Sequence, residues 1–291
     1  MTDIHTTASL RREVAGTVAL LVDKEDFTAM QQHVSFAHDD YSRYLDHIDD
    51  LLKTLTAEGG HITVALFDPE DYADYCHQTG LEPDYPSSRA RYTADRAATG
   101  PRVTYRGQRL PDLISTLIDT AVRHATHTYA TMLLAEGCEG PDYNQDRAGI
   151  ALGHTSHLLH RLLDAAGPGT HHLVCSVTVD HEQLTATLHA ARDITGATVL
   201  GTDESTQFCT VLAVGIALGS PGGIVLRTTT PSAPDQLHGW RLEAGHLHPL
   251  TEAEVFSAYC TDAQTGEPLA PEPHVDYCAG FPLTPDNHPH S

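Results

Sequence analysis

Three acidic side chains follow a short apolar segment at a position where many α/β proteins bind ligands. Residues 61–67 (HITVALF) are apolar on both faces, which predicts a buried strand. Asp68, Glu70 and Asp71 come directly after it, where a strand end meets a helix N-terminus. Three carboxylates at such a place could hold Mg²⁺. We favour the structural alternative, in which Asp68 caps a helix whose first residue is Pro69.

Asp180 is a second acidic residue of the same kind. It follows residues 172–179 (HLVCSVTV), which we also predict to be a strand. By analogy, Asp180 and Gln183 would form a capping box, so we predict a helix from Asp180 to about Arg192. Asp68 and Asp180 are therefore candidate ligand-binding residues at strand ends, with helix capping as the favoured role for both.

The local excess of basic residues lies between residues 89 and 109, which contain six of the fifteen arginines and two interleaved tyrosines. Arginine binds carboxylate and phosphate through paired hydrogen bonds, and the rest of this acidic chain would repel an anion. The candidate binding residues for an anionic ligand or partner are Arg89, Arg91, Tyr92, Arg96 and Tyr105. The alternative is that these arginines pair internally with the acidic helix that contains Asp46, Asp49 and Asp50.

The histidines and cysteines do not predict a metal centre. His154, His157 and His160 spread over about 120° of a predicted helix, opposite its leucines, so we expect a solvent-facing stripe. The cysteines have wide, irregular spacings without a Cys-x-x-Cys pair, so we expect reduced thiols and neither a metal nor another cofactor. They are Cys76, Cys138, Cys175, Cys209, Cys260 and Cys278.

Familiar catalytic motifs are also missing from the sequence. Ser220 lies in a Gly-Ser-Pro-Gly-Gly segment, which is typical of a turn and differs from the nucleophile elbow of hydrolases. Cys138 is flanked by Glu136, Glu139 and Asp142, whereas a reactive thiolate needs positive neighbours. The sequence therefore favours a binding protein over an enzyme.

The acidic composition argues against some classes of binding partner. The chain carries 39 acidic and 17 basic residues, a formal charge of -22, which argues against binding nucleic acid or an anionic membrane. No apolar segment approaches the ~20 residues that a membrane span needs. Residues 14–22 follow Arg11 and Arg12, and we interpret them as an amphipathic first helix instead of an export signal. We expect a cytoplasmic protein.

The order of elements predicts an α+β (or mixed α/β) fold with helices packed on small sheets. A helix, a glycine break, a strand and an Asp-capped helix occur in that order at residues 36–79 and 147–192. Two helix–strand–helix units are therefore predicted, with an internal duplication as one alternative and chance recurrence of a common unit as the favoured one.

A Gly- and Pro-containing break at residues 137–146 separates the predicted units. We assign residues 1–136 to a helix-rich α/β unit and 147–262 to an α+β unit richer in strands. The latter includes a predicted hairpin of residues 208–218 and 224–230. Residues 263–291 are predicted to be a Pro-rich irregular tail.

Two functions from different classes fit these observations. We favour a cytoplasmic, non-catalytic binding or regulatory protein that engages a protein partner or a small anionic ligand. The alternative is an enzyme without a local motif, acting on an anionic substrate near Asp68 and Asp180. The sequence leaves the oligomeric state open, with a homodimer as one alternative.

Overall fold

The computed structural model describes residues 16–137, 147–231, 233–262 and 265–283. Within them lie eight helices and two sheets of three and seven strands, which confirms the α+β class. The chain divides into two compact units, residues 1–125 and 126–291. This division falls before the break predicted at residues 137–146, of which only residue 137 is described.

The first unit contains a small mixed sheet. Strands β1 (Gly16–Leu20) and β2 (Ile62–Leu66) pair in parallel, and β3 (Arg102–Tyr105) lies antiparallel on the other side of β2. Helices of this unit are α1 (Lys24–Met30), α2 (Tyr41–Ala57), α3 (Pro69–Thr79), α4 (Pro86–Thr99) and the start of α5 (Leu110–Gly137). Leu20, Leu52, Val64, Tyr72 and Leu113 are fully buried at its core.

The segment that contains β1 was predicted to be an amphipathic helix, and that prediction is wrong for residues 16–20. Gly16 and Leu20 lie opposite Ile62 and Leu66 in the parallel pair. Burial of Leu20 against the core outweighs the weak helical preference of this short apolar segment, because tertiary packing commonly overrides local propensity.

The second unit contains the larger sheet. Its strands are β4 (Gly169–Val179), β5 (Glu182–Arg192), β6 (Thr198–Leu200), β7 (Gly222–Thr229), β8 (Asp235–Glu243), β9 (His246–Pro249) and β10 (Val275–Cys278). The order across the sheet is β10-β8-β7-β4-β5-β6, and β9 also pairs with β8. Helices α6 (Arg147–Ala166) and α7 (Thr202–Leu218) contribute to the same core as β4, and α8 (Glu252–Tyr259) follows β9.

The helix predicted from Asp180 to about Arg192 is instead strand β5, paired with β4 over its whole length. Leu184, Ala186 and Leu188 are buried while the residues between them are more exposed, which is the alternation of a strand. Asp180 does not cap a helix, since it lies in the hairpin turn. The order helix–strand–helix therefore does not recur in the second unit, and it provides no support for a duplication.

The strand predicted at residues 208–218 is also wrong, because these residues form most of helix α7. The helix is buried on nearly every side from Gln207 to Gly215, so its apolar residues show no period that would separate helix from strand. Gly219 ends it in the left-handed conformation. Strand β7 follows, but it pairs with β4 and β8.

The Pro-rich tail contributes to the sheet as well. Strand β10 pairs in parallel with β8, and the indole Nε1 of Trp240 donates a 2.9 Å hydrogen bond to the carbonyl of Phe281. The predicted irregular tail is therefore partly ordered. Residues 284–291 lie outside the described residues.

The turn between β4 and β5 provides a test of this hairpin. Asp180 and His181 have φ angles of 49° and 72°, a conformation that favours glycine at the second position. We expect His181→Gly to raise the free energy of unfolding by about 0.5–1 kcal/mol, measured by urea denaturation. The control substitution Gln183→Gly is within β5 and should lower the free energy of unfolding. A destabilised His181→Gly protein would contradict the assigned turn.

Candidate functional site

Helix α4 contributes side chains to two cavities of the first unit. The first, here called the Arg89 cavity, has a volume of about 450 Å³. It is lined by Thr17, Ala19, Leu21, Met30, Phe36, Tyr44, Ile48, Phe67, Arg89, Ala90, Thr93 and Ala94. The second, here called the Arg96 cavity, has a volume of about 420 Å³. It is lined by Leu66, Asp68, Asp71, Tyr92, Arg96, Pro101, Ala121, Val122, His124 and Ala125.

The Arg89 cavity exists because short side chains face each other across it. Thr17 and Ala19 alternate along β1 and therefore project from the same face of the sheet. Ala90 and Ala94 lie one turn apart on α4 and leave the opposite wall equally shallow. Aromatic and aliphatic side chains complete the walls, so most lining residues are apolar, while Thr17, Arg89 and Thr93 provide polar groups. The volume falls within the roughly 300–1,000 Å³ of ligand pockets.

Arg89 is the cation of this cavity. Its Nη1 donates a 2.6 Å hydrogen bond to Ser35 Oγ, and its Nη2 donates a 3.0 Å bond to the Ser35 carbonyl. No carboxylate of the described residues forms an ion pair with Arg89, although the chain carries a formal charge of -22. Ser35 therefore holds the guanidinium in place without neutralising it.

His38 lies near the same guanidinium. Its ring centroid is 5.0 Å from that of Phe36 and 5.2 Å from that of Tyr44, two residues of the cavity wall. Burial lowers the pKa of His38, and the nearby His47 and Arg89 lower it further, against the opposing effect of Asp39. The lowered pKa favours the neutral imidazole of His38.

The Arg96 cavity brings three of the predicted site residues together: Asp68, Tyr92 and Arg96. Arg96 Nη2 donates a hydrogen bond to Asp71 Oδ1, and the Tyr92 hydroxyl donates a 2.7 Å bond to Asp71 Oδ2. The guanidinium carbon lies 5.6 Å from the centroid of the Tyr92 ring. Arg96 is thus neutralised internally, but by Asp71 of α3, which was not among the predicted partners.

The acidic residues at the strand ends have separate roles. Asp68 Oδ1 accepts hydrogen bonds from the backbone N–H groups of Glu70 (2.9 Å) and Asp71 (3.1 Å), so this carboxylate caps α3. Asp180 lies in the second unit, in the β4–β5 turn. Asp68 and Asp180 therefore belong to different units.

Arg91 and Tyr105 line neither cavity. Arg91 is exposed on α4, and Tyr105 is buried at the end of β3. Ser35 and Tyr44, which the sequence did not predict as site residues, border Arg89 and its cavity. Tyr44 carried a signal as a residue of the amphipathic helix α2, whereas Ser35 carried none, because it lies in a connecting segment far from α4 in sequence.

An acidic cluster marks the shared edge where β1 and β2 end. Each strand is followed by Asp-x-Glu-Asp, and the first Asp of each motif, Asp23 or Asp68, caps the next helix. Burial, and then the neighbouring Asp23, Asp68, Glu25 and Glu70, raise the pKa of Asp26 to about 6. The described residues nevertheless contain no group of three or more His, Cys, Asp or Glu arranged to hold a metal ion.

One histidine of the stripe, His160, and one thiol, Cys209, line a third cavity of about 300 Å³ in the second unit. His154, His157 and His160 are exposed on α6, opposite buried leucines, as expected. Each of the five cysteines within the described residues is a free thiol, and Cys138 lies outside those residues. Burial raises the pKa of Cys175 and of Cys209, which makes both poor nucleophiles.

Comparison with known proteins covers only part of the chain. A family described as "Domain of unknown function (DUF8829)" matches residues 5–108, which include β1 to β3 and end just before α5. No curated protein and no solved structure matches the chain. Among the helices that the structure describes, none is long and apolar enough to cross a membrane.

The hydrogen bond between Tyr92 and Asp71 gives one testable consequence. Tyr92 is 1% exposed, and Tyr92→Phe leaves Asp71 without this donor, so we expect it to lower the free energy of unfolding by about 1 kcal/mol. Tyr75→Phe is the matched control, because its hydroxyl also donates to an aspartate, Asp95, but at a more exposed place. If denaturant titrations showed that Tyr92→Phe and Tyr75→Phe lower the free energy of unfolding equally, the Tyr92–Asp71–Arg96 group would have no special role.

The acidic cluster gives a pH-dependent consequence. Because the folded-state pKa of Asp26 is raised to about 6, the ionised carboxylate destabilises the fold, and this loss of stability grows as the pH rises from about 4 to about 6. Asp26→Asn should therefore raise the free energy of unfolding at pH 7 by roughly 1–2 kcal/mol and leave it nearly unchanged at pH 4.

Melting temperatures of the unaltered protein and of Asp26→Asn between about pH 4 and pH 7 provide the measurement. The control Asp23→Asn removes a carboxylate from the same cluster, but an asparagine still accepts the cap hydrogen bond from Asp26 N. A stabilisation by Asp26→Asn that did not vary with pH would contradict the electrostatic explanation.

Proposed function

We propose that the first unit is a non-catalytic binding module for an organic anion, whose charged group contacts Arg89 while its apolar body fills the Arg89 cavity. One observation carries this proposal: Arg89 lines a cavity of about 450 Å³ whose residues are mostly apolar, and it has no carboxylate partner among the described residues. By contrast, Arg96 on the same helix has such a partner in Asp71.

Electrostatics supports an anion as the ligand. A chain with a formal charge of -22 repels anions over most of its surface, so an arginine without a carboxylate partner marks a favourable place for one. A carboxylate on the guanidinium can form two parallel charge-assisted hydrogen bonds. The apolar wall then favours ligands that carry a hydrocarbon or aromatic body behind this charge.

The residues of the cavity support binding more than catalysis. Its lining residues include no Asp, Glu, His or Cys, the side chains that most often transfer protons. Burial raises the pKa of Tyr44 to about 12, so its phenol stays protonated at neutral pH. The alternative enzyme near Asp68 and Asp180 has less support, because Asp68 is engaged as a helix cap and Asp180 lies in a hairpin turn. We expect this binding to take place in the cytoplasm.

Decanoate and its neutral analogue decanol test the proposal on the full chain. We expect decanoate to bind more tightly than decanol, and Arg89→Gln to weaken decanoate binding by roughly 10- to 100-fold, because one charge-assisted contact is lost. The affinity of Arg89→Gln for decanol should stay within about twofold of that of the unaltered protein. Isothermal titration calorimetry with each compound provides the measurement.

Arg91→Gln is the matched control, since Arg91 is exposed two residues away on α4 and lines neither cavity. It should leave the decanoate affinity unchanged. Ser35→Ala keeps the charge of Arg89 but removes its anchoring hydroxyl, so it should weaken binding less than Arg89→Gln. Equal effects of Arg89→Gln and Arg91→Gln, or equal binding of decanol and decanoate, would refute an Arg89-centred site.

A further inference from the structure

Strand β1 has an outer edge that pairs with no other described strand. In the parallel pair, Gly16 N donates to the His61 carbonyl (2.9 Å) and the Leu20 carbonyl accepts from Phe67 N (3.0 Å). Even-numbered residues of β1 therefore direct their backbone groups toward β2, and the alternate residues Thr17 and Ala19 direct theirs away from it.

Leu21, the next odd-numbered residue, also directs its backbone N–H away from β2. Leu21 N donates a 3.0 Å hydrogen bond to the hydroxyl of Tyr44, a side chain of α2. This hydroxyl closes the outer edge at Leu21. Two residues, Thr17 and Ala19, are left with outward N–H and C=O groups, and neither has a backbone hydrogen bond to a described residue outside the β1–β2 pair.

The same two residues also line the Arg89 cavity. Hydrogen-bonding backbone, an apolar space and a cation without a carboxylate partner are thus adjacent on one side of the first unit. These three features match an extended peptide, whose main chain pairs with a strand edge while alternate side chains enter a pocket.

We propose that the Arg89 cavity binds the C-terminal end of an extended peptide, with main-chain hydrogen bonds to Thr17 and Ala19, an apolar side chain in the cavity and the terminal carboxylate on Arg89. This inference rests on the proposed function and names its ligand class. The short edge favours a chain end over a continuous strand, because a strand that ran past Leu21 would have to displace Tyr44.

A free organic acid would leave the edge of β1 unused, and this difference separates the two ligand classes. The probe is a fluorescein-labelled hexapeptide of alternating apolar and polar residues that ends in leucine, prepared as the free acid and as the C-terminal amide. Fluorescence polarisation with the full chain should show the free acid binding at least tenfold more tightly. Arg89→Gln should abolish this difference.

Thr17→Pro tests the strand edge, since it removes an outward N–H without removing a hydrogen bond to β2, and proline is tolerated at such edge positions. Because Thr17 also lines the cavity, the reference protein is Thr17→Val, which replaces the side chain but keeps the N–H. We expect Thr17→Pro to bind the peptide at least tenfold more weakly than Thr17→Val, and the two variants to bind decanoate with similar affinity. A peptide N-methylated at alternate residues tests the same hydrogen bonds in the unaltered protein and should also bind at least tenfold more weakly.

The outcomes separate the two proposals. Equal binding of the acid and the amide, or full affinity for the N-methylated peptide, overturns the peptide ligand; decanoate binding that depends on Arg89 would still support the anion-binding module. If decanoate and peptide both bind regardless of Arg89, or neither binds, the proposed function fails as well. Melting temperatures of each variant show whether a loss of affinity reflects a loss of fold.

Discussion

The parallel pairing of β1 with β2 is the constraint on which the first unit depends. Its register places Val18 beside Val64 and Leu20 beside Leu66, so both strands end at the same edge of the sheet. Each strand is followed at once by a helix whose N-cap is an aspartate, Asp23 or Asp68. Capping stabilises each helix start, but it also concentrates carboxylates at one edge. Burial, and then repulsion from these carboxylates, raise the pKa of Asp26 there.

The same pairing determines which side of β1 is available to a ligand. Since even-numbered residues bond to β2, the odd-numbered residues Thr17 and Ala19 carry both the outward backbone groups and the side chains that line the cavity. Their small size leaves space that larger side chains would fill. Replacing Ala19 with a larger apolar residue would favour packing over binding, so the cavity depends on side-chain size as much as on fold.

Local sequence patterns predicted the helices with a polar face and an apolar face, together with the strands that follow a glycine break. Apolar residues at helical spacing from Leu113 to Leu133 are sufficient to predict α5, because one side of that helix is buried and the other is exposed. Helix α7 was missed for the opposite reason, since burial from Gln207 to Gly215 removes the contrast on which a period depends. Strand β5 was missed because Asp180 with Gln183 matches a capping box, although the alternation after it is that of a strand.

Less of the candidate site could be predicted. The basic segment and its tyrosines indicated a cation near a ligand. The repeated Asp-x-Glu-Asp motif, which is also visible in the sequence, indicates the acidic cluster. Neither could show which arginine has a partner, because Asp71 and Ser35 lie about 25 and 54 residues away in sequence from the arginines that they hold. Such pairings arise from tertiary packing and have no periodic signature.

Arg89 and Arg96 are seven residues apart on α4, so helix geometry places them on the same side, about two turns apart. Their different roles follow from what lies opposite each one. Helix α3 presents the carboxylate of Asp71 to Arg96, whereas the segment before α2 presents only the hydroxyl and carbonyl of Ser35 to Arg89. A neutral partner orients a guanidinium without cancelling its charge. In a chain where acidic residues outnumber basic ones by more than two to one, leaving one arginine beside an apolar cavity without a carboxylate partner is the feature that packing alone does not explain.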